Sequence, residues 1–330
     1  MDNSFTNHRY SRQTMLPEVG EHGQQRLNNS SVLIIGAGGL GSPAAAYLAG
    51  SGIGKITVVD HDTIAEHNLH RQVFYREQHI GEYKAKVLAD YLKSLNSDIT
   101  INAIKTRLLS SNVEQLVNEH DIILDCADNF ATTYLLNDTC QAHNKYLISA
   151  SIIGTKGYLG IFCKTAPSYR AVFPTPPEFA GNCASNGVLG PAVGSLALMQ
   201  AQQVIMLLLE SENALIGKLL NTDFWLSRFT TMDFNSAPEP TVFNTIGIVA
   251  REEITDSDLL IDCRSDEEQQ NAPVKNSVSV RQLPEDISCY KRLVYFCVSG
   301  NRAYQQTIGN DVKIKQSVFI CSEDIATDLF

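Results

Sequence analysis

Residues 31–41 read Ser31-Val-Leu-Ile-Ile-Gly-Ala-Gly-Gly-Leu-Gly41, and this stretch determines the architecture of the chain. The apolar run before Gly36 is typical of a short strand that is buried on both faces of a parallel sheet. Gly36, Gly38 and Gly41 then form a G-x-G-x-x-G pattern, in which glycines let a phosphate approach the backbone at a helix N-terminus. We therefore predict a nucleotide-binding β-α-β unit whose loop also includes Gly39.

The second strand of this unit ends at Asp60, where a carboxylate can accept hydrogen bonds from a ribose. Downstream, helical and strand patterns alternate at a spacing typical of an open, mostly parallel α/β sheet. Beyond residue 145, a turn-like Gly154-Thr-Lys-Gly157 separates two apolar runs and predicts added antiparallel strands. A long loop over 165–192 then precedes a buried helix. The predicted elements are strands at 31–35, 55–60, 98–104, 122–126, 146–153 and 157–163, and helices at 42–48, 84–95, 111–118 and 193–210.

The length of the chain leaves room for a second domain. A chain of 330 residues with 44% hydrophobic residues can bury one large core and one smaller core. The segment Asn235-Ser-Ala-Pro-Glu-Pro240 contains two prolines and small polar residues, a composition that resists both helix and sheet. We predict a Rossmann-like domain over 1–235, a linker over 236–242 and a small second α/β domain over 243–330.

Charge and composition exclude several classes of protein. The formal net charge of −10 argues against non-specific binding to nucleic acid or to an anionic membrane, because both need surplus Lys and Arg. The first thirty residues are polar and broken by Pro17, which is not the pattern of a signal peptide. The uncharged stretch 183–209 contains polar residues and favours a loop and a buried helix over a membrane span. Eight cysteines without a Cys-x-x-Cys pair indicate reduced thiols, a cytoplasmic protein and no structural zinc.

The residues after the glycine-rich loop distinguish two kinds of nucleotide site. The loop and Asp60 alone would indicate an NAD-dependent dehydrogenase, whose bound diphosphate does not react and needs only backbone amides. Attack at a phosphate instead requires cations that stabilise the charge developing on the leaving group. Arg71 and Lys84 can supply those cations, unless they are merely surface charges. Asp128, at the end of a predicted strand, can hold Mg²⁺.

Seven ordered blocks over residues 9 to about 230 resemble the ThiF/MoeB/HesA family, the bacterial relatives of ubiquitin-activating enzymes. The blocks are Arg9-Tyr-Ser-Arg-Gln13, Gly36-Ala-Gly-Gly-Leu-Gly41, Asp60-His-Asp62, Asn68-Leu-His-Arg-Gln72, Lys84, Asp125-Cys-Ala-Asp-Asn129 and Cys183-Ala-Ser-Asn-Gly-Val-Leu-Gly-Pro191. The resemblance implies ATP-dependent adenylation of the Gly-Gly tail of a ubiquitin-like sulfur-carrier protein. It also implies a homodimer in which an N-terminal arginine reaches the ATP of the partner.

The same resemblance implies a role for individual residues. Arg12 would be the arginine offered across the dimer, unless it is a solvated charge near the N-terminus. The remaining roles are ribose binding by Asp60, phosphate binding by Asn68, Arg71 and Lys84, Mg²⁺ binding by Asp128, and support of the nucleotide by Gln13, Asp62, Gln72 and Asn129.

Cys183 is the first candidate nucleophile. A buried structural cysteine is the default expectation, but the family uses the cysteine at this position to hold the activated carrier through sulfur, which requires a thiolate. The family often carries two Cys-x-x-Cys pairs that bind zinc. Here the first of those places reads Pro167-Ser-Tyr-Arg-Ala171, so the loop is expected to be held by packing alone or to be more mobile.

The last 90 residues resemble a rhodanese domain. Leu259-Leu-Ile-Asp-Cys-Arg264 is similar to the strand before the rhodanese acidic segment, and Val294-Tyr-Phe-Cys-Val-Ser-Gly-Asn-Arg-Ala303 is similar to its active loop. Cys297 would then carry a persulfide, supported by Arg302 and by backbone N–H groups around the sulfur. The alternative is an inactive remnant, since residues 271–280 lack Gly-His-Ile-Pro-Gly. The other six cysteines are expected to pack in apolar surroundings, as is Trp225.

The resemblance implies an adenylyltransferase that gives acyl-adenylate and pyrophosphate. Sulfur transfer to a carrier thiocarboxylate would follow, in the biosynthesis of molybdopterin, thiamine or a related sulfur-containing metabolite. Its partners would be the carrier, a second copy of the chain and a cysteine desulfurase as persulfide donor. Two alternatives stay open: an NAD-dependent oxidoreductase, and an inactive module that only binds a ubiquitin-like protein. The tail-binding groove is built from variable loops, so the sequence does not name the carrier.

Overall fold

The computed structural model describes residues 8–175, 187–240, 246–284, 286–297, 300–308 and 317–321. Within these residues, helices α1 (Ser11–Thr14) and α2 (Gly20–Asn28) precede the first sheet, after a short 3-10 helix at His8–Tyr10. Both sheets that follow belong to an α/β architecture, and the predicted fold class is confirmed.

The first sheet has eight strands in the order β3-β2-β1-β4-β5-β6-β7-β8. Neighbours from β3 to β5 pair in parallel, and β6, β7 and β8 extend the sheet by antiparallel pairing. The sequence predicted the antiparallel addition at β6, but not β7 and β8. The strands are β1 (Ser31–Ile35), β2 (Lys55–Val59), β3 (Thr100–Ile104), β4 (Ile122–Asp125), β5 (Tyr146–Ile153), β6 (Lys156–Phe162), β7 (Lys218–Asp223) and β8 (Arg228–Asp233).

Helices cover both faces of this sheet, because alternate residues of a buried strand point to opposite sides. Val32 and Ile34 of β1 lie in the same core as three of the helices, and Leu33 and Ile35 lie in the core on the other face. The first group of helices is α3 (Gly41–Gly50), α4 (Lys84–Leu95) and α8 (Gly190–Leu208); the second is α5 (Val113–Asn118), α6 (Phe130–Ala142) and the short α7 (Tyr169–Val172).

Helix α8 is the one helix of the described residues that is long and apolar enough to cross a membrane. In this structure it packs against α3, β5 and β6. Its Gln200 is fully buried and donates hydrogen bonds to the carbonyl oxygens of Asp125 (2.8 Å) and Ile148 (3.0 Å). These contacts give α8 the position of a core helix.

The second sheet is parallel throughout, with the order β11-β10-β12-β13-β9. Its elements are β9 (Gly247–Val249), β10 (Asp258–Asp262), α9 (Asp266–Asn271), β11 (Ser277–Ser279), β12 (Arg292–Phe296), α10 (Asn301–Ile308) and β13 (Ser317–Cys321). The two sheets lie on either side of the predicted linker. The domain boundaries and the rhodanese-like assignment stay predictions.

The two sheets share one apolar core. Tyr304 of α10 stacks on Tyr134 of α6, with ring centroids 5.0 Å apart and an interplanar angle of 17°. Ile248 of β9 exchanges two hydrogen bonds with Ser110, which lies in the segment between β3 and α5. The second sheet is therefore packed firmly against the α5–α6 face of the first.

Three sequence predictions differ from the structure. Trp225 is not in the core: it is 76% exposed at the turn between β7 and β8, a hairpin that the sequence analysis did not predict. Cys289 is exposed, whereas we predicted that it packs. The loop over 165–192 is also shorter than predicted, because α7 forms within it and α8 begins at Gly190.

Candidate functional site

A cleft of about 470 Å³ lies at the carboxyl ends of β1, β2, β4 and β5. We call it the main cleft. The chain order reverses between β1 and β4, and open α/β sheets bind their ligands at such a switch point. Predicted residues that line the main cleft are Gly36, Gly38, Gly39, Asp60, Asp62, Asn68, Arg71, Gln72, Lys84, Asp128 and Asn129.

The glycine-rich loop has its residue types for steric reasons. Gly36 has φ +98°, and a Cβ atom there would lie 2.6 Å from the carbonyl oxygen of Cys126. Gly41 does not line the main cleft; a Cβ on it would collide with the carbonyl group of Gly36. Gly41 therefore allows the start of α3 to pack closely on the loop. The backbone of the glycine-rich loop leaves a space that side chains would otherwise fill, and a phosphate can occupy it.

Asp60 ties the end of β2 to this loop. Its Oδ2 accepts a hydrogen bond from the Ala37 N–H (2.6 Å), and its Oδ1 accepts one from the Asp62 N–H (2.7 Å). Burial raises the pKa of Asp60, while the charge of Lys84 and the two amides act in the opposite direction. Each carboxylate oxygen has a second lone pair, so Asp60 can still accept a hydrogen bond from a ribose hydroxyl.

Lys84 is a buried cation, not a surface charge. Its residue is only 6% exposed at the first position of α4, and its Nζ lies 2.9 Å from Oδ2 of Asp62. Hydrogen bonds from His61 and from Lys84 lower the pKa of Asp62, although burial opposes the shift. The ion pair holds the ammonium group beside the main cleft, where it can meet a phosphate.

Arg71 supplies a second cation. It is half-buried, and its Nη1 donates to the carbonyl oxygen of His67 (2.8 Å) and lies 2.7 Å from Nε2 of His70. Asn68 is buried, and its Oδ1 accepts the Ala65 N–H at 3.0 Å. Asn68 thus shapes the turn that carries Arg71 into the main cleft.

Gln72 carries a polar atom that a ligand could satisfy. The residue is 3% exposed, and its Oε1 has no hydrogen-bond partner within the described parts of the chain. A hydroxyl of a bound nucleotide could donate to this oxygen. With the amide flipped by 180°, a phosphate oxygen could accept from the nitrogen instead.

Asp128 and Asn129 occupy the turn between β4 and α6. Asp128 is exposed to the main cleft, whereas Asn129 caps α6 by accepting the Thr132 N–H at 2.9 Å. In the described residues, the group with close metal-ligating atoms is Asp60, His61 and Asp62, and it does not include Asp128. A single carboxylate facing a phosphate site still fits Mg²⁺, which takes one or two carboxylates together with substrate phosphates and waters.

Asp125 does not itself line the main cleft, but it binds Thr133, which does, and the sequence analysis did not single it out. Its Oδ2 accepts hydrogen bonds from the hydroxyls of Thr133 and Ser149, both at 2.8 Å, and its Oδ1 accepts the Ala127 N–H at 3.2 Å. Burial raises the pKa of Asp125 to about 6. The available signal was an acidic residue inside the apolar run 122–126. A carboxylate buried in such a strand needs hydrogen-bond donors around it, so its position indicates a polar cluster.

Two of the predicted catalytic residues, Arg12 and Cys297, do not line the main cleft. Arg12 is exposed on α1, outside the main cleft of its own chain, with Nη1 3.9 Å from the sulfur of Met15. Gln13, expected to support the nucleotide, instead donates to Gln24 Oε1 (2.7 Å) and to the Ser51 carbonyl oxygen (3.0 Å). Cys183 lies outside the described residues.

Cys297 follows β12 in the second sheet, remote in sequence from the main cleft. It is 1% exposed, and its Sγ accepts the Ala303 N–H at 3.4 Å. The neighbouring Arg302 pairs with both carboxylate oxygens of Glu268, at 2.7 and 2.9 Å, and this pairing lowers the pKa of Glu268 to about 2. The backbone N–H at 303 is consistent with the predicted anion-binding loop, but the buried thiol must become accessible before it can react.

Polar contacts hold residues 167–171, where the ThiF/MoeB/HesA family often carries zinc-binding cysteines. The N–H and the hydroxyl of Ser168 donate to the two carboxylate oxygens of Glu239, both at 2.6 Å. Arg170 forms a bidentate pair with Asp138 at 2.6 and 2.8 Å. The expectation that packing alone holds this segment is therefore wrong for residues 168–172.

Comparisons with known proteins agree with this geometry. The model of the ThiF family matches residues 10–242. "Adenylyltransferase and sulfurtransferase MOCS3" of Anopheles gambiae is 44% identical over 227 residues, which make up 68% of this chain and 52% of that protein. "SAMP-activating enzyme E1" of Haloferax volcanii is 38% identical over 248 residues, 74% of this chain and 92% of that protein.

The chain spans about half the length of the MOCS3 relative. Among solved structures, the crystal structure of E. coli MccB with ATP matches with a TM-score of 0.61 at 24% identity, covering 71% of this chain and 73% of that chain. This last likeness concerns the fold.

Proposed function

This chain belongs to the ThiF family, and we propose that it uses ATP to adenylate the C-terminal carboxylate of a ubiquitin-like sulfur-carrier protein. The observation that carries the proposal is the buried Lys84, held by Asp62 in the main cleft that also contains Arg71 and Asp128. A site for an unreacting dinucleotide needs no such cations, so their presence argues against the NAD-dependent oxidoreductase. The names of the Anopheles and Haloferax relatives support the same activity.

In the proposed reaction, a carboxylate oxygen of the carrier tail attacks the α-phosphorus of ATP. A new O–P bond joins the carboxylate oxygen to the α-phosphorus. The bond from the α-phosphorus to the oxygen that bridges to the β-phosphorus breaks, and pyrophosphate leaves. Lys84 and Arg71 stabilise the negative charge that grows on the phosphates, and Asp60 orients the ribose. Asp128 would hold Mg²⁺, which supplies further charge neutralisation when bound.

Sulfur transfer is the proposed second step. The terminal sulfur of a persulfide on Cys297 would attack the acyl carbon, held either as the adenylate or as a thioester on Cys183, and AMP or the Cys183 thiolate would leave. The Cys183 thiolate or an external thiol would then attack Sγ of Cys297, which breaks the S–S bond and releases the thiocarboxylate. This leaves a disulfide that an external thiol must reduce. The product would be a carrier thiocarboxylate for the biosynthesis of molybdopterin, thiamine or a related sulfur-containing metabolite. A cysteine desulfurase would supply the persulfide, and the protein would act in the cytoplasm as a homodimer.

Exchange of labelled pyrophosphate into ATP, measured with each candidate carrier from the same genome, tests the first step. We expect exchange that depends on a carrier with a free C-terminal glycine. Asp128→Ala should lower it about 100-fold or more, because a group that stabilises transition-state charge has an effect of that size. Asp256→Ala is the matched control, since Asp256 is an exposed carboxylate outside the main cleft.

Three other outcomes would contradict the proposal or one part of it. ATP binding without exchange for any carrier would favour the inactive binding module. Reduction of NAD with no pyrophosphate chemistry would favour the oxidoreductase. Normal exchange by a folded Asp128→Ala protein would remove the Mg²⁺ assignment.

Thiocarboxylate formation tests the sulfur step. Cys297→Ser and Cys183→Ser should leave pyrophosphate exchange within about twofold of wild type, because neither sulfur takes part in the attack on ATP. With a persulfide donor, Cys297→Ser should stop thiocarboxylate formation, whereas the exposed Cys289→Ser should not. A wild-type rate for Cys297→Ser would show that the second sheet is an inactive remnant.

A further inference from the structure

One wall of the main cleft is attached to the second sheet. Thr106, Arg107 and Leu108 line this wall, in the segment that follows β3. Two residues later, the Ser110 N–H donates to the carbonyl oxygen of Ile248 (2.9 Å), and the Ile248 N–H donates to Oγ of Ser110 (2.8 Å). Ser110 thus binds the backbone of β9 through both its own backbone N–H and its side-chain oxygen.

The close approach depends on Gly247. A Cβ atom at this position would lie 2.8 Å from Oγ of Ser110 and 2.4 Å from two ring carbons of Phe319. Any larger residue would push β9 away from either Ser110 or β13. The sequence of β9 is therefore suited to accept the segment from the first sheet.

The residue before α5 also holds the wall segment. Asn112, which precedes α5, accepts the Leu109 N–H at 2.9 Å through Oδ1 and donates to the Arg107 carbonyl oxygen at 2.9 Å through Nδ2. Leu108 is buried in the core that also contains Ile248. The wall residues are consequently held by Asn112 and, through Ser110, by β9.

We infer that the second sheet is a structural part of the main cleft, and that Ser110 is a positioning residue for the nucleotide. This inference rests on the proposed function. Ser110 acts through Thr106, Arg107 and Leu108, which line the cleft. Their segment follows Ile104, whose carbonyl oxygen accepts the N–H of Asp60 at 3.1 Å, and Asp60 is the residue assigned to the ribose. The second sheet therefore affects nucleotide binding whether or not Cys297 carries sulfur.

The test compares Ser110→Ala with Ser111→Ala in the full chain. Ser111 is exposed and adjacent, so it controls for the loss of a hydroxyl in the same segment. We expect Ser110→Ala to raise the Kd and the KM for ATP about two- to tenfold, the range that one lost hydrogen bond gives. The kcat should stay within about twofold, because Lys84 and Asp128 lie on other elements. Amide exchange over 105–112 should become faster in this variant only.

Gly247→Ala provides a second variant that displaces β9 and keeps Ser110, and it should raise the Kd for ATP in the same direction. Faster amide exchange in Ser110→Ala with an unchanged Kd would overturn the inference, since the contact would then serve stability alone. Equal effects of Ser110→Ala and Ser111→Ala would overturn it as well. If the wild-type protein binds no ATP, the proposed function fails first, and the wild-type measurement shows this separately.

Discussion

Asp125 illustrates how a single residue is matched to its surroundings. It is the last residue of β4, fully enclosed, with donors from Thr133 on α6, Ser149 on β5 and the Ala127 amide. These three donors join the strand, its neighbour and the following helix beside the main cleft, which Thr133 and Ala127 line. They only partly offset the desolvation of the carboxylate, so its pKa stays raised at about 6.

We predict that Asp125 makes the stability of the protein depend on pH. Its pKa of about 6 in the folded state exceeds the value of about 3.9 in an unfolded chain. Between these values the folded protein binds more protons, so the free energy of unfolding falls as the pH rises. Two pKa units correspond to about 3 kcal/mol, which is fully present below pH 4 and lost above pH 6.

Urea unfolding of the wild-type protein and of Asp125→Asn over pH 4–7 measures this effect. The variant lacks the titrating group, so its stability relative to wild type should increase by about 2 to 3 kcal/mol from pH 4 to pH 7. A difference that stays constant over this range would contradict the assignment. The comparison does not depend on activity.

Residue type and spacing predicted many cleft residues, and tertiary neighbours explain the misses. Gly36 and Asp60 were predictable because their roles follow from backbone geometry within one β-α-β unit. The partners of Asp125 come from elements that are 8 and 24 residues away, and no local pattern encodes them. Trp225 was placed wrongly because hydrophobicity does not reveal that a side chain lies on the turn of an edge hairpin.

At the scale of elements, a buried ion pair fastens α7 to α6. The side chains of Arg170 and Asp138 are 5% and 9% exposed, and the guanidinium group also lies 4.5 Å from the ring centroid of Tyr134. Tyr134 is the ring on which Tyr304 stacks, so this pair lies where the two sheets meet. It forms part of the contact between α6 and the second sheet.

We predict that Asp138→Asn lowers the free energy of unfolding by about 3 to 5 kcal/mol, because it leaves Arg170 buried without its counter-charge. Lys86→Ala is the control: Lys86 is 48% exposed and pairs with Glu82 and Asp90 on the surface. Its loss should lower the stability by less than about 1 kcal/mol. Equal effects of the two substitutions in urea unfolding would contradict a structural role for the buried pair.

Elements with a regular apolar pattern were predictable, and those without one were not. The parallel core from β1 to β5 consists of short apolar runs that only a doubly covered sheet buries. Strand β8, Arg228–Asp233, is exposed at every position. Its sequence has no regular alternation of apolar and polar residues, so that pattern does not indicate a strand. Backbone pairing with β7 makes this segment a strand.

For the whole molecule, the sequence predicted two units but not their firm contact. The prolines at 238 and 240 predicted a linker that forms neither helix nor strand. Glu239 in that segment instead binds Ser168, and the second sheet shares a core with the first. Contacts between distant segments such as Ser110 and Ile248 leave no periodic signal in either partner, so they become visible only in three dimensions.

The last prediction concerns two copies of the chain. Arg12 is exposed on α1 outside its own main cleft, and Lys84 is buried within that cleft, so a site shared across a homodimer would take Arg12 from one chain and Lys84 from the other. Arg12→Ala and Lys84→Ala proteins should each be inactive in pyrophosphate exchange. After subunit exchange, half of the dimers are hybrids with one intact site of two, which restores about one quarter of the wild-type rate.

A mixture of Lys84→Ala with Asp128→Ala provides the matched control, because both residues lie in the main cleft of the same chain. Every site in that hybrid keeps one defect, so the control mixture should stay inactive. Recovery in the first mixture and not in the second would place Arg12 in the cleft of the partner subunit. If neither mixture recovers although light scattering and mass spectrometry show hybrid dimers, Arg12 does not act across the interface, and each main cleft must bind and activate ATP with the residues of one chain.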